Sequence, residues 1–314
     1  MLKKKETKVY DVIIVGGGPG GLTAAVYQSR SGNSVAIIEK GVYGGQLLNT
    51  DLVENYGGIT SISGVELAMQ FDEQARSLDN VDHIFGNIKT AYKEDDLFVV
   101  EAHKKKYIGK SLIIATGVTH KKLGLDGEKL YEGNGISYCA TCDGAFYRGK
   151  NVTVIGGGDS ALESAIYLSK IASSVTIMHR RDEFRAEQIL QDRAKKIENI
   201  RYIMNAEVTA IWGDDDTVTD IGYKDKTDLK NELHSTEGVF VNIGVIPNTD
   251  PFGDLGVLRE PGYIYTTETV KTSVEGVFAV GDVRYNSIRQ IVAATGEGAI
   301  ASDQVNKYLQ KENK

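Results

Sequence analysis

The feature that most limits how this chain can fold is a glycine-rich turn that occurs twice, each time between a β-branched run and a helix-forming run. Val12-Ile-Ile-Val15 enters Gly16-Gly-Gly-Pro-Gly-Gly21 and then Leu22-Thr-Ala-Ala-Val-Tyr27, and a second strand, Val35-Ala-Ile-Ile38, ends at Glu39. A short run of β-branched residues is the pattern of a strand buried on both faces of a parallel sheet. Glycines let the backbone approach a pyrophosphate closely, and the helix N-terminus behind them stabilises its charge. This order of elements is that of a dinucleotide site, with Gly16, Gly18, Pro19 and Gly21 at the turn. Glu39 is placed to accept hydrogen bonds from an adenosine ribose.

The same grammar returns at Val152-Thr-Val-Ile155, at Gly156-Gly-Gly-Asp-Ser-Ala161, in a helix through Leu168 and in the strand Val175-Thr-Ile-Met178. Here Gly156, Gly158, Asp159 and Ser160 form the turn. The end of the second strand differs: His179-Arg-Arg-Asp-Glu-Phe-Arg185 replaces the acid with three arginines. Guanidinium forks match phosphate geometry, so Arg180, Arg181 and Arg185 predict a 2′-phosphate, and hence NADPH over NADH, with His179 lining the site. In a glycine-rich chain, one match to three spaced glycines arises about 0.4 times by chance. Two matches, each between the right strand and helix, do not.

Two further strand ends complete the first site. Leu112-Ile-Ile-Ala-Thr-Gly117 and Val277-Phe-Ala-Val-Gly281-Asp282 are apolar runs that stop at small residues, and an Asp there can bind polyol hydroxyls. Thr116, Gly117 and Asp282 therefore join the candidates. The first site is drawn from both ends of the chain, which makes 120–247 an inserted domain and 1–119 with 248–314 its host. Gly117-Val-Thr-His120 and Gly244-Val-Ile-Pro247 are the candidate hinges. The Glu237–Gly244 run resembles the other strand ends and suggests that the domains are related duplicates. The expected fold class is α/β, with two Rossmann-like dinucleotide-binding domains of the three-layer ββα type, one inserted into the other.

Between these sites lies Cys139-Ala-Thr-Cys142-Asp-Gly144, which holds both cysteines of the chain. Two randomly placed cysteines show this spacing roughly once in 160 chains. A CxxC turn brings two sulfurs within disulfide reach, and a following helix N-terminus stabilises a thiolate. Asp143 is placed to pass a proton to or from a leaving thiol, or to cap the helix. Two cysteines are too few for a disulfide scaffold or a four-ligand zinc site, and no metal is expected. The five histidines are scattered, with no Cys–His catalytic pairing.

Composition bounds the rest. A 314-residue chain suits two domains, and a net charge of −7 argues against a nucleic-acid binder. Lys3 to Lys5 read as a solvated terminus. No apolar stretch approaches the ~20 residues of a membrane span, and the first apolar run reads as a strand rather than a signal peptide. A cytoplasmic protein is expected.

These residues resemble the bacterial thioredoxin reductases of low molecular weight. The resemblance rests on GGGPGG at 16–21, GGQ at 44–46, ENY at 54–56, CATCDG at 139–144, GGGDSA at 156–161, HRRDEFRA at 179–186, GDV at 281–283 and the run from Arg289. It covers the chain essentially end to end and implies FAD in the host domain, NADPH in the inserted one, thioredoxin as protein substrate and a homodimer. By resemblance, Gly44, Gly45, Gln46, Asn55, Asp282, Arg289, Gln290 and Ile291 lie along the FAD. Cys142 is then the sulfur nearest the flavin, Asp143 the acid/base, and Phe146 and Tyr147 either substrate contacts or packing. Gly57 stands where the family often has proline, and Ala145 where some members carry an aromatic residue.

Other readings need different residues. A ferredoxin or flavodoxin reductase needs no CxxC, a disulfide oxidase or ferredoxin-driven reductase needs no arginine cluster, and the flavoprotein of a peroxide-reducing system needs an added N-terminal redox domain. A non-enzymatic nucleotide sensor leaves the cysteine pair unused. Because the cysteines share a domain with the NADPH turn, and both must reach the flavin, rotation about 117–120 and 244–248 is expected.

Overall fold

The structure is a computed structural model that describes residues 8–50, 52–214, 217–259, 261–285 and 287–312. Lys3 to Lys5 lie outside the described residues. The chain divides into two compact units, the first formed up to Thr119 and again from Ile246, the second by His120–Val245. The second crossing thus falls two residues before the expected 247/248. Strands Val118–His120 and Val245–Pro247 pair with each other.

In the first unit, one long strand, Lys105–Ile114, belongs to two layers. Its second half pairs in parallel with Val9–Val15, from Val9↔Ile108 to Val15↔Ile114, and with Val277–Ala279. Its first half pairs antiparallel with Leu97–Ala102, which in turn pairs with Ile88–Glu94. Val35–Glu39 and Val81–Phe85 extend the parallel side. The run Leu112–Ile114, read as a short strand, is therefore the end of a ten-residue one.

Side chains alternate across a strand, so a continuous apolar run feeds two cores. Val12 and Ile14 face the helices Pro19–Arg30 and Ile291–Glu312, packing with Leu22, Phe278 and Val305. Ile13 and Val15 face the antiparallel layer, packing with Phe98, Val100 and Leu112. All four are essentially excluded from solvent, each worth about 1.5–3 kcal/mol of transfer free energy.

The second unit repeats the plan. Its parallel sheet runs Ile136–Ser137, Val239–Val241, Asn151–Ile155, Ser174–Met178, Ile200–Ile203. Val152, Val154, Val175 and Ile177 pack on helices Asp159–Leu168 and Gln188–Lys195. Ile155, Met178, Val239 and Val241 face an antiparallel layer of Ala206–Gly213, Val218–Asp225 and Asn231–Ser235. Both units are three-layer ββα folds. Among the described residues, no helix is long and apolar enough to cross a membrane.

Candidate functional site

Each glycine turn contains two kinds of glycine. Gly16 and Gly156 have left-handed φ angles of +107° and +153°, and a Cβ there would fall 2.3 Å from a backbone oxygen, of Ala115 and Asn242 respectively. These are packing glycines. At Gly158 a Cβ would meet nothing within 4 Å, and at Gly18 only the Gly45 Cα, at 3.8 Å. These are the open glycines, and they sit at the N-caps of the helices Pro19–Arg30 and Asp159–Leu168, neither of which is capped by a side-chain hydrogen bond. Helix N–H groups facing open space at a bare backbone fit a pyrophosphate in both units. The first helix begins at Pro19, three residues before the apolar run that announced it, because proline at the first turn forfeits no hydrogen bond.

In the first unit the parallel register brings three strand ends to one edge: Val15, Ile114 and Ala279. Thr116 and Gly117 follow Ile114, and Asp282 follows Ala279, within three residues. Thr116 donates to the Asn248 carbonyl at 2.7 Å, and Gln46 donates to the Val118 carbonyl at 2.8 Å. Glu39 accepts the Gly17 N–H at 2.7 Å and the Gly41 N–H at 3.1 Å, so it fastens the turn. Asn55 donates to Gln290 at 3.1 Å, while Arg289, in a left-handed conformation, reaches the Tyr263 hydroxyl at 3.2 Å. Ile291 opens the last helix.

Burial lifts the Asp282 carboxyl to about 6, with Arg289 pulling it down and Glu297 pushing it further up. Glu297 was not among the sequence candidates. It accepts the Gly281 N–H at 2.6 Å and pairs with Arg284, and so holds the turn that carries Asp282. The only signal for it was an acid inside the small-residue run after Arg289.

In the second unit, Arg185 donates its N–H to the Gly157 carbonyl at 2.7 Å, and Asp159 accepts the Glu187 N–H at 2.8 Å. These bonds bring the arginine loop to the glycine turn. Arg180, Arg181 and Arg185 are all exposed, as is Ser160. His179 is different: it is buried, stacks on Phe184 at 5.6 Å, and lies where a Cβ on Gly157 would fall 2.3 Å from its ring. Burial first, and then Arg185, Arg181 and Arg180, push its pKa down, so it is a neutral wall of the turn.

Cys139 and Cys142 are joined as a disulfide, their Cα atoms 5.3 Å apart. Cys139 stands at the N-cap of the short helix Ala140–Asp143, and its sulfur accepts the Cys142 N–H at 3.2 Å. Asp143 accepts a hydrogen bond from Ser137 at 2.6 Å. Ser137 was also missed, because nothing in CxxC spacing points two residues upstream. Of the two aromatics, Tyr147 is core, edge-on to Phe240 at 5.1 Å, whereas Phe146 is exposed. Among the described residues, no group of three or more His, Cys, Asp and Glu is placed to hold a metal ion.

Two dinucleotide-type turns and a disulfide in a CxxC turn define a nucleotide-linked disulfide oxidoreductase. Residues 10–298 match the family described as pyridine nucleotide-disulphide oxidoreductase. The thioredoxin reductase of Bacillus subtilis (strain 168) is 46% identical over 98% of this chain and 96% of its own length. That of Listeria innocua is 45% identical over the same shares. The thioredoxin reductase structure from Streptococcus pyogenes superposes with a TM-score of 0.92 at 44% identity, covering 96% of this chain and 99% of that one. The chain belongs to the pyridine nucleotide-disulphide oxidoreductase family and, within it, to the thioredoxin reductases. Membership carries a flavin and a pyridine nucleotide as cofactors.

Proposed function

We propose that the protein uses NADPH and FAD to reduce its Cys139–Cys142 disulfide and then delivers the two electrons to the disulfide of oxidised thioredoxin. The observation that carries this reading is the formed disulfide in the unit whose glycine turn is followed by three arginines. A bound flavin would supply the conversion of a hydride into a pair of electrons for sulfur. The protein's own residues do the rest. Gly16, Gly18, Pro19 and Gly21 receive the FAD pyrophosphate and Glu39 its adenosine ribose. Gly45, Gln46, Asn55, Thr116, Gly117, Asp282, Arg289, Gln290 and Ile291 line the remainder.

Gly156, Gly158, Asp159 and Ser160 receive the second pyrophosphate beside the neutral His179, and Arg180, Arg181 and Arg185 hold the 2′-phosphate. Cys142 meets the flavin, Cys139 attacks the partner's disulfide, and Asp143 moves the proton between sulfur and solvent. Segments 117–120 and 244–248 act as hinges, because the disulfide must meet a flavin and then a protein. The reading also makes the protein a homodimer, supported by the family resemblance. A disulfide that must cycle suits a reducing cytoplasm.

The test is NADPH-dependent reduction of oxidised thioredoxin by wild-type protein and by Cys142→Ser. Wild type should turn over thioredoxin. The variant should lose at least about a thousandfold, while NADPH still bleaches its flavin absorbance. Thioredoxin reduction that survives the substitution would overturn the role of the pair.

A further inference from the structure

We propose that Ser137 is a positioning residue for Asp143, its hydroxyl turning between two acceptors as that carboxyl gains and loses its proton. The inference rests on the reading of Asp143 as the acid/base of the cysteine pair.

Ser137 is buried, and its backbone is fixed by the parallel pairing Ser137↔Phe240 at the edge of the sheet. Its Oγ accepts the Cys139 N–H at 3.0 Å. Two acceptors then lie within reach of its single proton: Asp143 Oδ2 at 2.6 Å and the Cys139 carbonyl at 3.3 Å. One hydroxyl proton cannot serve both, but a hydroxyl can accept two hydrogen bonds while donating one. With Asp143 ionised, Ser137 donates to Oδ2. With Asp143 protonated, the carboxyl O–H donates to Ser137, whose own proton turns to the Cys139 carbonyl. The Ser137 hydroxyl, Asp143 Oδ2 and the Cys139 N–H thus keep a partner in both charge states. The Cys139 carbonyl accepts the Asp143 N–H at 3.1 Å in either state, and an unpaired group here would be costly.

The proton step is balanced. The Asp143 O–H bond breaks as an S–H bond forms on a thiolate of the pair, and the negative charge moves from sulfur to carboxylate with no change of oxidation state. The Ser137 proton turns to meet that charge. The groups set against Asp143 include Ser137 from the strand, which donates to it, and Tyr147 from the 3₁₀ turn Gly144–Tyr147, whose phenol feels its charge, while Cys139 and Cys142 share its helical turn. Burial, and then Asp143 itself, push the Tyr147 phenol up to about 12, so it stays neutral throughout.

The experiment compares wild type, Asp143→Asn, Ser137→Ala and Ser137→Thr, all flavin-loaded and checked by flavin absorbance and thermal unfolding. The rate of iodoacetamide alkylation of the reduced pair is measured across pH, alongside turnover. The step in the alkylation profile that Asp143→Asn abolishes is the Asp143 titration. Ser137→Ala removes a donor to the carboxylate, so that step should move up by about one pH unit, with turnover down about tenfold. Ser137→Thr, which keeps the hydroxyl, should restore both. A Ser137→Ala enzyme slowed evenly at every pH, with the step unmoved, would reduce Ser137 to packing and overturn the proposal. An Asp143→Asn profile identical to wild type would instead sink the acid/base reading beneath it. Should Ser137→Ala not fold, Ser137→Gly, which equally lacks the hydroxyl and adds no thiol, must show the same upward shift.

Discussion

The two glycine turns are built on one backbone plan and differ in the charges set around it. Register aligns them: Val15 pairs with Ile38 as Ile155 pairs with Met178, and the first glycine of each turn donates to the partner strand, Gly16 to Ile38 at 2.9 Å and Gly156 to Met178 at 3.1 Å. The middle glycine's carbonyl is captured alike, by Gly44 N–H in one unit and Arg185 N–H in the other, each at 2.7 Å. A ring covers both middle glycines, Tyr43 over Gly17 and His179 over Gly157. By this alignment Glu39 and His179 hold the same place. One is an acid that takes the middle glycine's N–H. The other is a neutral imidazole with cations beside it. On the function proposed above, the scaffold is indifferent to which dinucleotide it holds, and one position with its flanking loop decides.

The strongest way to break that comparison is to remove the cations. Replacing Arg180, Arg181 and Arg185 together by Ala should lower kcat/KM for NADPH by about a hundredfold or more, since charge-assisted contacts to a phosphate are lost. The value for NADH should stay within about threefold. Steady-state rates with both nucleotides decide it, and equal losses would mean that the loop shapes the turn rather than reading the phosphate.

A smaller effect is expected in the first unit. Glu39→Gln keeps an acceptor for the Gly17 N–H but removes the charge, so the fold should hold while FAD affinity falls about tenfold, read by quenching of flavin fluorescence. Glu39→Ala removes the acceptor too, and should cost about 1–2 kcal/mol of stability in addition. If Gln and Ala behave alike in both assays, Glu39 serves only the turn.

The parts of this molecule that were legible in the sequence are the ones where local chemistry repeats. β-branched runs, glycine spacing and the charge at a strand end are short-range signals, and they locate both turns and both parallel sheets. The antiparallel layers were expected only as part of the ββα fold type and their strands were not located, because strands such as Ala206–Gly213 are short of buried residues and carry no motif. Glu297 was missed for another reason. It reaches Gly281 across 16 residues, from a helix to a strand end, and no local pattern encodes that meeting. Phe146 and Tyr147 show the limit plainly: adjacent aromatics, one exposed and one in the core, sorted only by the helical turn that carries them.

The smallest predicted effect contrasts the two units through pH. Asp282 and His179 are both held toward their neutral forms by burial, but neutrality means protonated for one and deprotonated for the other. Asp282, raised to about 6, contributes stability that is complete below the ordinary carboxylate range and is lost as pH rises through 6. His179, lowered from 6.5, contributes stability that is present above that value and is lost as pH falls through its depressed pKa. Thermal unfolding of flavin-stripped protein between pH 5 and 8 should therefore respond oppositely to two substitutions. Asp282→Asn should raise Tm relative to wild type most at the alkaline end, because the wild-type cost of ionising a buried carboxyl is gone. His179→Gln should do so most at the acid end, where wild type must protonate a ring packed on Gly157. Two variants that shift Tm by the same amount at every pH would show that neither group is held neutral by its surroundings, and the electrostatic half of the comparison would fall while the backbone half stood.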